Sequence, residues 1–344
     1  MKNQNKPAVW FPTVRTGTGT DVFTERLVEG LNQQGIRAEI TWLPLRAEYL
    51  PWTVKIPHPP EWATIVHVST WLNRRFLPQD LPIIATLHHS IHDPNLRPHK
   101  GLLRALYHQF WIAPNERRVM KQAKQVTAVS QFVSDMAKQT LCDVPIQVIY
   151  NGVDTTLFCP SSKVKEKGEG EPLRLLYVGA WKKLKGVDLL TPIMSELGPE
   201  FELYYTGGTS AEKDKLKMPE NMHDLGRLNQ QEVIQAMQSS DLLLFPSRSE
   251  GFGLVVAEAM ACDLPVVASE IPSLSELITY GKTGLLCNLN DVQDFKKKIY
   301  TIRDGSVKYV ADYFISQNKF SHHVTIENYL RLYEYLNYKF RLVI

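Results

Sequence analysis

Cysteine is scarce in this chain: Cys142, Cys159, Cys262 and Cys287 are the only four in 344 residues. They fall at no metal-ligand spacing, which excludes a disulfide scaffold or a structural zinc site and reads as reduced thiols of a cytoplasmic protein. No run of eighteen apolar residues occurs, so no membrane-spanning helix is expected. The N-terminal stretch up to Gly17 has no apolar core followed by a small-residue cleavage site, so secretion is not expected. Charge of one sign is also missing: the net value of +3 is too small to argue for nucleic acid. An Asp-x-Asp metal motif is absent, and no metal requirement is expected.

What is present is ordinary globular material, 44% hydrophobic and 22% charged, in a chain long enough for two α/β domains. Short β-branched or apolar runs alternate with helical patterns, which predicts parallel sheets covered by helices on both faces. The first half reads as strands at Ala8–Thr13, Ala38–Trp42, Thr64–Val68, Ile83–Leu87, Gln125–Val129 and Ile146–Ile149, with helices at Asp21–Gln34 and across Lys100–Lys124. A second series follows at Leu173–Val178, Glu202–Thr206, Leu242–Pro246 and Pro265–Ala268. The charged stretch Ser161–Pro172 reads as a linker. The expected organisation is therefore residues 1–160, a linker at 161–172, a second domain at 173–320, and a C-terminal helix within 321–344 that packs back on the first domain.

Glycine-rich or polar loops come directly after strands: Thr16–Asp21, Ser69–Trp71, His88–Asp93, Gly179–Lys185, Gly207–Gly208 and Ser247–Gly253. Open α/β sheets bind ligands at the carboxyl ends of their strands, so these loops can converge on a crevice. The first of them lacks the third glycine of the dinucleotide fingerprint, which argues against a dehydrogenase.

Two segments carry the chemistry. From Gly251 to Cys262 the only charged side chain is Glu258, inside an otherwise apolar helix. A buried carboxylate needs donors, which a ribose diol or a neighbouring arginine or backbone amide could supply. Glu250 precedes Gly251 and Gly253 at the start of that helix, where free amides favour an anion or an oxygen-rich ligand. In the other segment, Lys182, Lys183 and Lys185 sit ahead of the helix Val187–Leu197. Positive charge at a helix N-terminus is unfavourable by a few tenths to about 1 kcal/mol per residue, and an incoming diphosphate would reverse that sign. A solvated basic loop is the alternative.

Together these segments resemble family-four retaining glycosyltransferases of the GT-B fold. The family's glycine-arginine-x4-lysine-glycine-x-aspartate pattern corresponds to Gly179, Ala180, Lys185, Gly186 and Asp188, and its paired-glutamate motif is present in full from Glu250 to Glu258. The match is close from Val126 to Tyr335 and looser before that. The resemblance implies two Rossmann-like domains with parallel sheets facing across a cleft, acting on a UDP- or GDP-type sugar donor. Glu258 would hold the ribose, and Glu250 with the backbone of Phe252–Leu254 would hold the sugar. Lys185 would contact the diphosphate, Gly19 would let the first domain's loop approach it, and Arg227–Leu228 would lie against the base. His88 or His89 would face the sugar. The donor-side set is completed by Gly179, Lys182, Lys183, Gly208, Ser247, Gly251, Gly253 and Leu254, and the catalytic set is Glu250, Lys185, His88 and His89.

The implied reaction moves the sugar, with retention, to a hydroxyl of a glycan or glycolipid acceptor, in cell-surface polysaccharide or lipopolysaccharide assembly. The donor is a substrate, and no cofactor or metal is expected. The family's usual arginine is Ala180 here, so diphosphate charge would rest on Lys185 with Lys182 or Lys183. A non-hydrolysing sugar-nucleotide epimerase and a non-catalytic GT-B sugar-binding module are the alternatives.

The region from Arg97 to Lys124 is strongly basic. Lys100, Arg104, Trp111, Arg117 and Arg118 mark a stretch that could rest on an anionic membrane and present a lipid-linked acceptor. On the other reading, Leu102, Leu103, Leu106 and Phe110 pack into a core beneath a solvated basic face. No nucleic-acid partner is expected.

Overall fold

The computed structural model describes residues 6–89, 91–93, 96, 98, 101–162, 168, 170–306 and 319–341. It comprises two units, Met1–Gly152 with His322–Ile344, and Val153–Ser321. The division falls at Gly152, ahead of the residue 160 expected from composition. Hydrogen bonding explains it: Val153 N donates to Phe320 O at 2.8 Å, and Phe158 is buried.

In the first unit the strands are β1 (Val9–Val14), β2 (Ala38–Leu43), β3 (Ile65–Ser69), β4 (Ile83–Leu87), β5 (Gln125–Ala128) and β6 (Ile146–Val148). They form one parallel sheet in the order β2-β1-β3-β4-β5-β6. β1 is buried on both faces, and its side chains alternate between two cores. Val9 and Phe11 pack with Leu27 and Leu31 of the helix Gly19–Gln33 and with Tyr329 and Tyr333 of the last helix, His322–Arg341. Trp10 and Val14 pack with Val66, Phe76 and Val119. Pro12 has no N–H to give, and the ladder between β1 and β3 accordingly runs only through Val9 and Trp10.

The second unit repeats the plan with β7 (Leu173–Tyr177), β8 (Phe201–Tyr205), β9 (Met222–Asp224), β10 (Leu242–Phe245), β11 (Val266–Ser269) and β12 (Gly284–Cys287). All are parallel, in the order β12-β11-β10-β7-β8-β9. β9 and β12 were not expected from the sequence. Both are edge strands, of three and four residues.

The helix expected across Lys100–Lys124 is present, with a π turn in its middle. Lys100 lies outside the described residues. A helix spans Leu102–Tyr107, a π turn His108–Ile112, and a second helix Ala113–Gln122. Pro114 lacks the N–H that would close the α-helical bond to Phe110, which accounts for the wider turn just before it. Leu102, Leu103 and Phe110 are 75%, 84% and 70% exposed, so this apolar side is not in a core.

Candidate functional site

In the second unit, sheet order reverses beside β7: the chain moves to β8 on one side, while β10 lies on the other. Ligand crevices of open α/β sheets form at such a point, and the loops after β7 and β10 carry the two motifs. After β7, Lys183–Lys185 forms a tight turn ending in Gly186, with φ of +75°. A Cβ at Gly186 would fall 1.9 Å from Pro246 O, so glycine is required both by backbone conformation and by the close approach of the β10 loop. That approach sets Lys185 Nζ 2.7 Å from Glu250 Oε1. Ser247 Oγ donates to the same oxygen at 2.8 Å. Among the described residues Oε2 accepts from none, and the Glu250 side chain keeps 12% exposure. Lys182, Lys183 and the Ala180 side chain are exposed.

Gly253 begins the helix Leu254–Ala261 with φ of +99° and no side-chain cap, which leaves its first amides for a ligand or water. Its lack of a side chain is also a packing demand, because a Cβ would lie 2.5 Å from Leu274 Cδ2. Gly251 is buried, and Phe252 is buried with its ring 5.8 Å from that of Phe320. Leu254 is half-buried. Glu258 is 7% exposed within the same helix.

A third loop pair adjoins these. Thr206 Oγ1 accepts from Gly179 N at 3.0 Å, tying the loops after β7 and β8. Asp224 Oδ1 accepts from the amides of Gly207, Gly208 and Gly226 at 3.0, 3.0 and 2.8 Å, and Lys215 Nζ lies 2.9 Å from Oδ2. Burial alone would raise the Asp224 pKa, but these backbone bonds and the ammonium outweigh it and hold the carboxyl below its ordinary range. Gly208 thereby sits beside Gly226 and exposed Arg227, with Leu228 half-buried next to them. Sequence reasoning missed Asp224. Its signal was an acid two residues before a glycine in a turn.

Tyr177 was also missed. Its hydroxyl donates to Ala180 O at 3.1 Å. Burial, and then the charge of Glu250, push its pKa far up, so it is a neutral donor that shapes the loop.

The first unit holds Gly19, His88 and His89 at the ends of β1 and β4. Asp21, 7% exposed, accepts from Thr16 N, Thr16 Oγ1 and Gly17 N at 2.9, 2.8 and 2.7 Å. The glycine loop is thus closed by its own helix, while Gly19 faces open space. His88 is buried against Phe23 at 4.8 Å and lines a small cavity with Thr13, Thr24, His67 and Ser69. Burial first, then His89 and His67, drives its pKa well below the ordinary value, so it is neutral near pH 7. His89 is exposed. His67 is pushed down to about 3 by burial and bonds Tyr333 and Thr86, each at 2.6 Å.

Of the basic set, Arg104 and Arg118 are exposed. Arg117, also exposed, donates to Leu141 O and Thr140 O at 2.9 and 3.0 Å, serving the end of the helix Gln131–Thr140. Trp111 donates to Glu48 O at 3.0 Å and meets Trp52 edge-on at 6.3 Å. Among the described residues no three His, Cys, Asp or Glu side chains cluster as a metal site needs, and no helix is long and apolar enough to cross a membrane.

Comparison with known proteins adds the following. The family described as Glycosyl transferases group 1 matches residues 160–343, and Glycosyltransferase Family 4 matches 44–157. An uncharacterized glycosyltransferase of Methanocaldococcus jannaschii is 33% identical over 178 residues, covering 51% of this chain and 48% of that one. The chain spans between 32% and 64% of the length of the first curated relatives it matches. Among solved structures, a sucrose-phosphate synthase from Thermosynechococcus elongatus superposes with a TM-score of 0.77 at 17% identity, over 95% of this chain and 98% of its own. Anabaena HepE, in complex with UDP and glucose, gives a TM-score of 0.71 at 17% identity, over 95% and 99%. The likeness, with two six-stranded parallel sheets, establishes the α/β GT-B fold.

Proposed function

The chain belongs to the glycosyl transferases group 1 family, and from that premise we propose that it is a retaining glycosyltransferase that takes a sugar from a nucleoside diphosphate donor to a hydroxyl acceptor. The observation that carries this reading is the Lys185–Glu250–Ser247 constellation beside the reversal in sheet order, between two glycine-capped helix N-termini. An ammonium and free helical amides suit a diphosphate. A carboxylate pinned through one oxygen has the other for sugar hydroxyls. Glu258, four residues into the second helix, is the candidate ribose ligand, with Arg227 and Leu228 against the base.

Catalysis on this reading is mostly positioning and stabilisation of diphosphate charge. Lys185 holds the leaving group, with Lys182 and Lys183 supplying further charge in place of the arginine absent at Ala180, so transfer is expected without a metal. The departing phosphate helps deprotonate the acceptor on the same face of the sugar. His88, in the first unit, is neutral and is therefore a hydrogen-bonding group rather than a cation. The Anabaena neighbour is solved with UDP and with UDP-glucose, which makes UDP-sugars the first probes and GDP-sugars the second.

The acceptor is proposed to be a glycan or glycolipid of cell-surface polysaccharide or lipopolysaccharide assembly, reached from the cytoplasmic face of a membrane. Support comes from the apolar surface of the first unit. Leu102, Leu103, Phe110 and Trp52 are 60–84% exposed, and Tyr49 stacks on Tyr107 at 5.5 Å beside Arg104. Aromatic and leucine side chains with nearby arginines suit a lipid interface.

The test is a panel of nucleotide sugars scored by thermal stabilisation, followed by nucleotide release with and without acceptor. Release that requires acceptor, with the anomeric configuration kept by NMR, is the expected result. Isomerised donor without acceptor would instead mean an epimerase, and binding without turnover a sugar-binding module.

A further inference from the structure

Arg248 follows Ser247 in the loop after β10, and its side chain is withdrawn from solvent, 6% exposed. Its donors reach three separate stretches of chain. The guanidinium forks onto both oxygens of Asp188, at 2.6 and 3.0 Å, in the first turn of the helix Val187–Leu197. It also donates to Lys183 O, and Nε donates to Asn290 Oδ1 at 2.7 Å. The Arg248 backbone N–H donates to Leu184 O at 2.9 Å. Two of the three carbonyls of the Lys183–Lys185 turn are therefore held by one residue from the opposite loop.

That turn needs holding. Three lysines of like charge crowd the start of a helix whose dipole also repels them. Arg248 brings its own charge already matched by Asp188, so the pair adds almost no net charge and its effect is geometric. Burial would raise the Asp188 pKa, but the Arg248 fork and charge outweigh it and keep the carboxyl below its ordinary range. Only a planar group with five N–H donors can serve both Asp188 oxygens, a carbonyl and Asn290 together; an ammonium cannot.

We infer that Arg248 is a positioning residue that clamps the Lys183–Lys185 turn, fixing Lys185 relative to Glu250 and to the diphosphate of the donor. This rests on the donor site proposed above. The clamp acts through Lys185 and touches neither sugar nor base, so its loss should be felt at the diphosphate and not at the nucleoside.

The experiment compares wild type with Arg248→Gln and Arg248→Lys. Amide hydrogen exchange is read at Lys185 and Gly186, which donate to Lys182 O and Lys183 O at 2.8 and 3.0 Å. Both amides should exchange about tenfold faster in both variants. By calorimetry, affinity for UDP or GDP should fall about tenfold while that for UMP or GMP holds, and turnover should fall with the acceptor KM unchanged. Unchanged exchange in Arg248→Gln overturns the clamp. A lower melting temperature with an unchanged diphosphate-to-monophosphate affinity ratio and turnover overturns the positioning role. Full rescue by Arg248→Lys would mean that charge, not the fork, is what matters, and would also overturn it. If wild type binds neither diphosphate, the donor-site reading fails by itself, and the exchange rates still decide the clamp.

Discussion

Replacing Lys185 by Met separates two roles of one side chain. Its ammonium lies 2.7 Å from Glu250 Oε1, with the two side chains 28% and 12% exposed. Exposed pairs contribute little, and breaking a fully buried pair costs several kcal/mol, so this half-buried one should cost about 1–3 kcal/mol of stability. Ser247 stays bonded to the stranded carboxylate and keeps the loss from being larger. Transfer should suffer more, by roughly 10²–10³-fold, the scale for losing one donor to developing charge. The double variant Lys185→Met/Glu250→Gln then removes the stranded charge. Stability by urea titration should recover, while affinity for the bare nucleoside diphosphate, which carries no sugar for Glu250 to hold, should stay low by calorimetry. Recovery of that affinity to within about threefold of wild type would refute the reasoning, since Lys185 would then be only a counter-ion for Glu250.

Three further outcomes are expected. Glu258→Gln should weaken nucleotide binding without lowering the melting temperature, and unchanged calorimetric affinity would count against a ribose role. His67, held near 3, and His88, also depressed, are neutral in the fold but protonate near 6.5 when unfolded. The stabilisation from each is therefore complete above pH 6.5 and drains away as pH falls, for His67 toward 3, at up to ~1.4 kcal/mol per unit. Urea midpoints from pH 7 to 5 check this, and an equally steep profile in His67→Asn would contradict it. Changing Trp52, Leu103 and Phe110 to Ser should release the protein from anionic liposomes while sparing nucleotide binding, and undiminished co-sedimentation would remove the membrane surface from the reading.

The α/β fold was legible in the sequence because its elements depend on local pattern, and so were the segments that carry Lys185 and Glu250. Short β-branched or apolar runs located most strands, and Gly253 and Glu258 sit in one continuous segment. β9 and β12 were not read from the sequence, and the assembled sheet places both at its outer edges. Gly253 was read as a place where free amides favour a ligand, yet its lack of a side chain is also demanded by Leu274, and that of Gly186 by Pro246, contacts that only folding supplies. The leucines of Leu102–Tyr107 show the converse: their helical spacing is equally compatible with a core and with solvent, and packing alone decided for solvent. Arg248 and Asp224 are ordinary polar residues until folding brings three or more backbone or side-chain partners to each. The local chain specifies which groups exist and which element they ride on. Which of them share a hydrogen bond is set by the order of strands, and that order is a property of the assembled sheet.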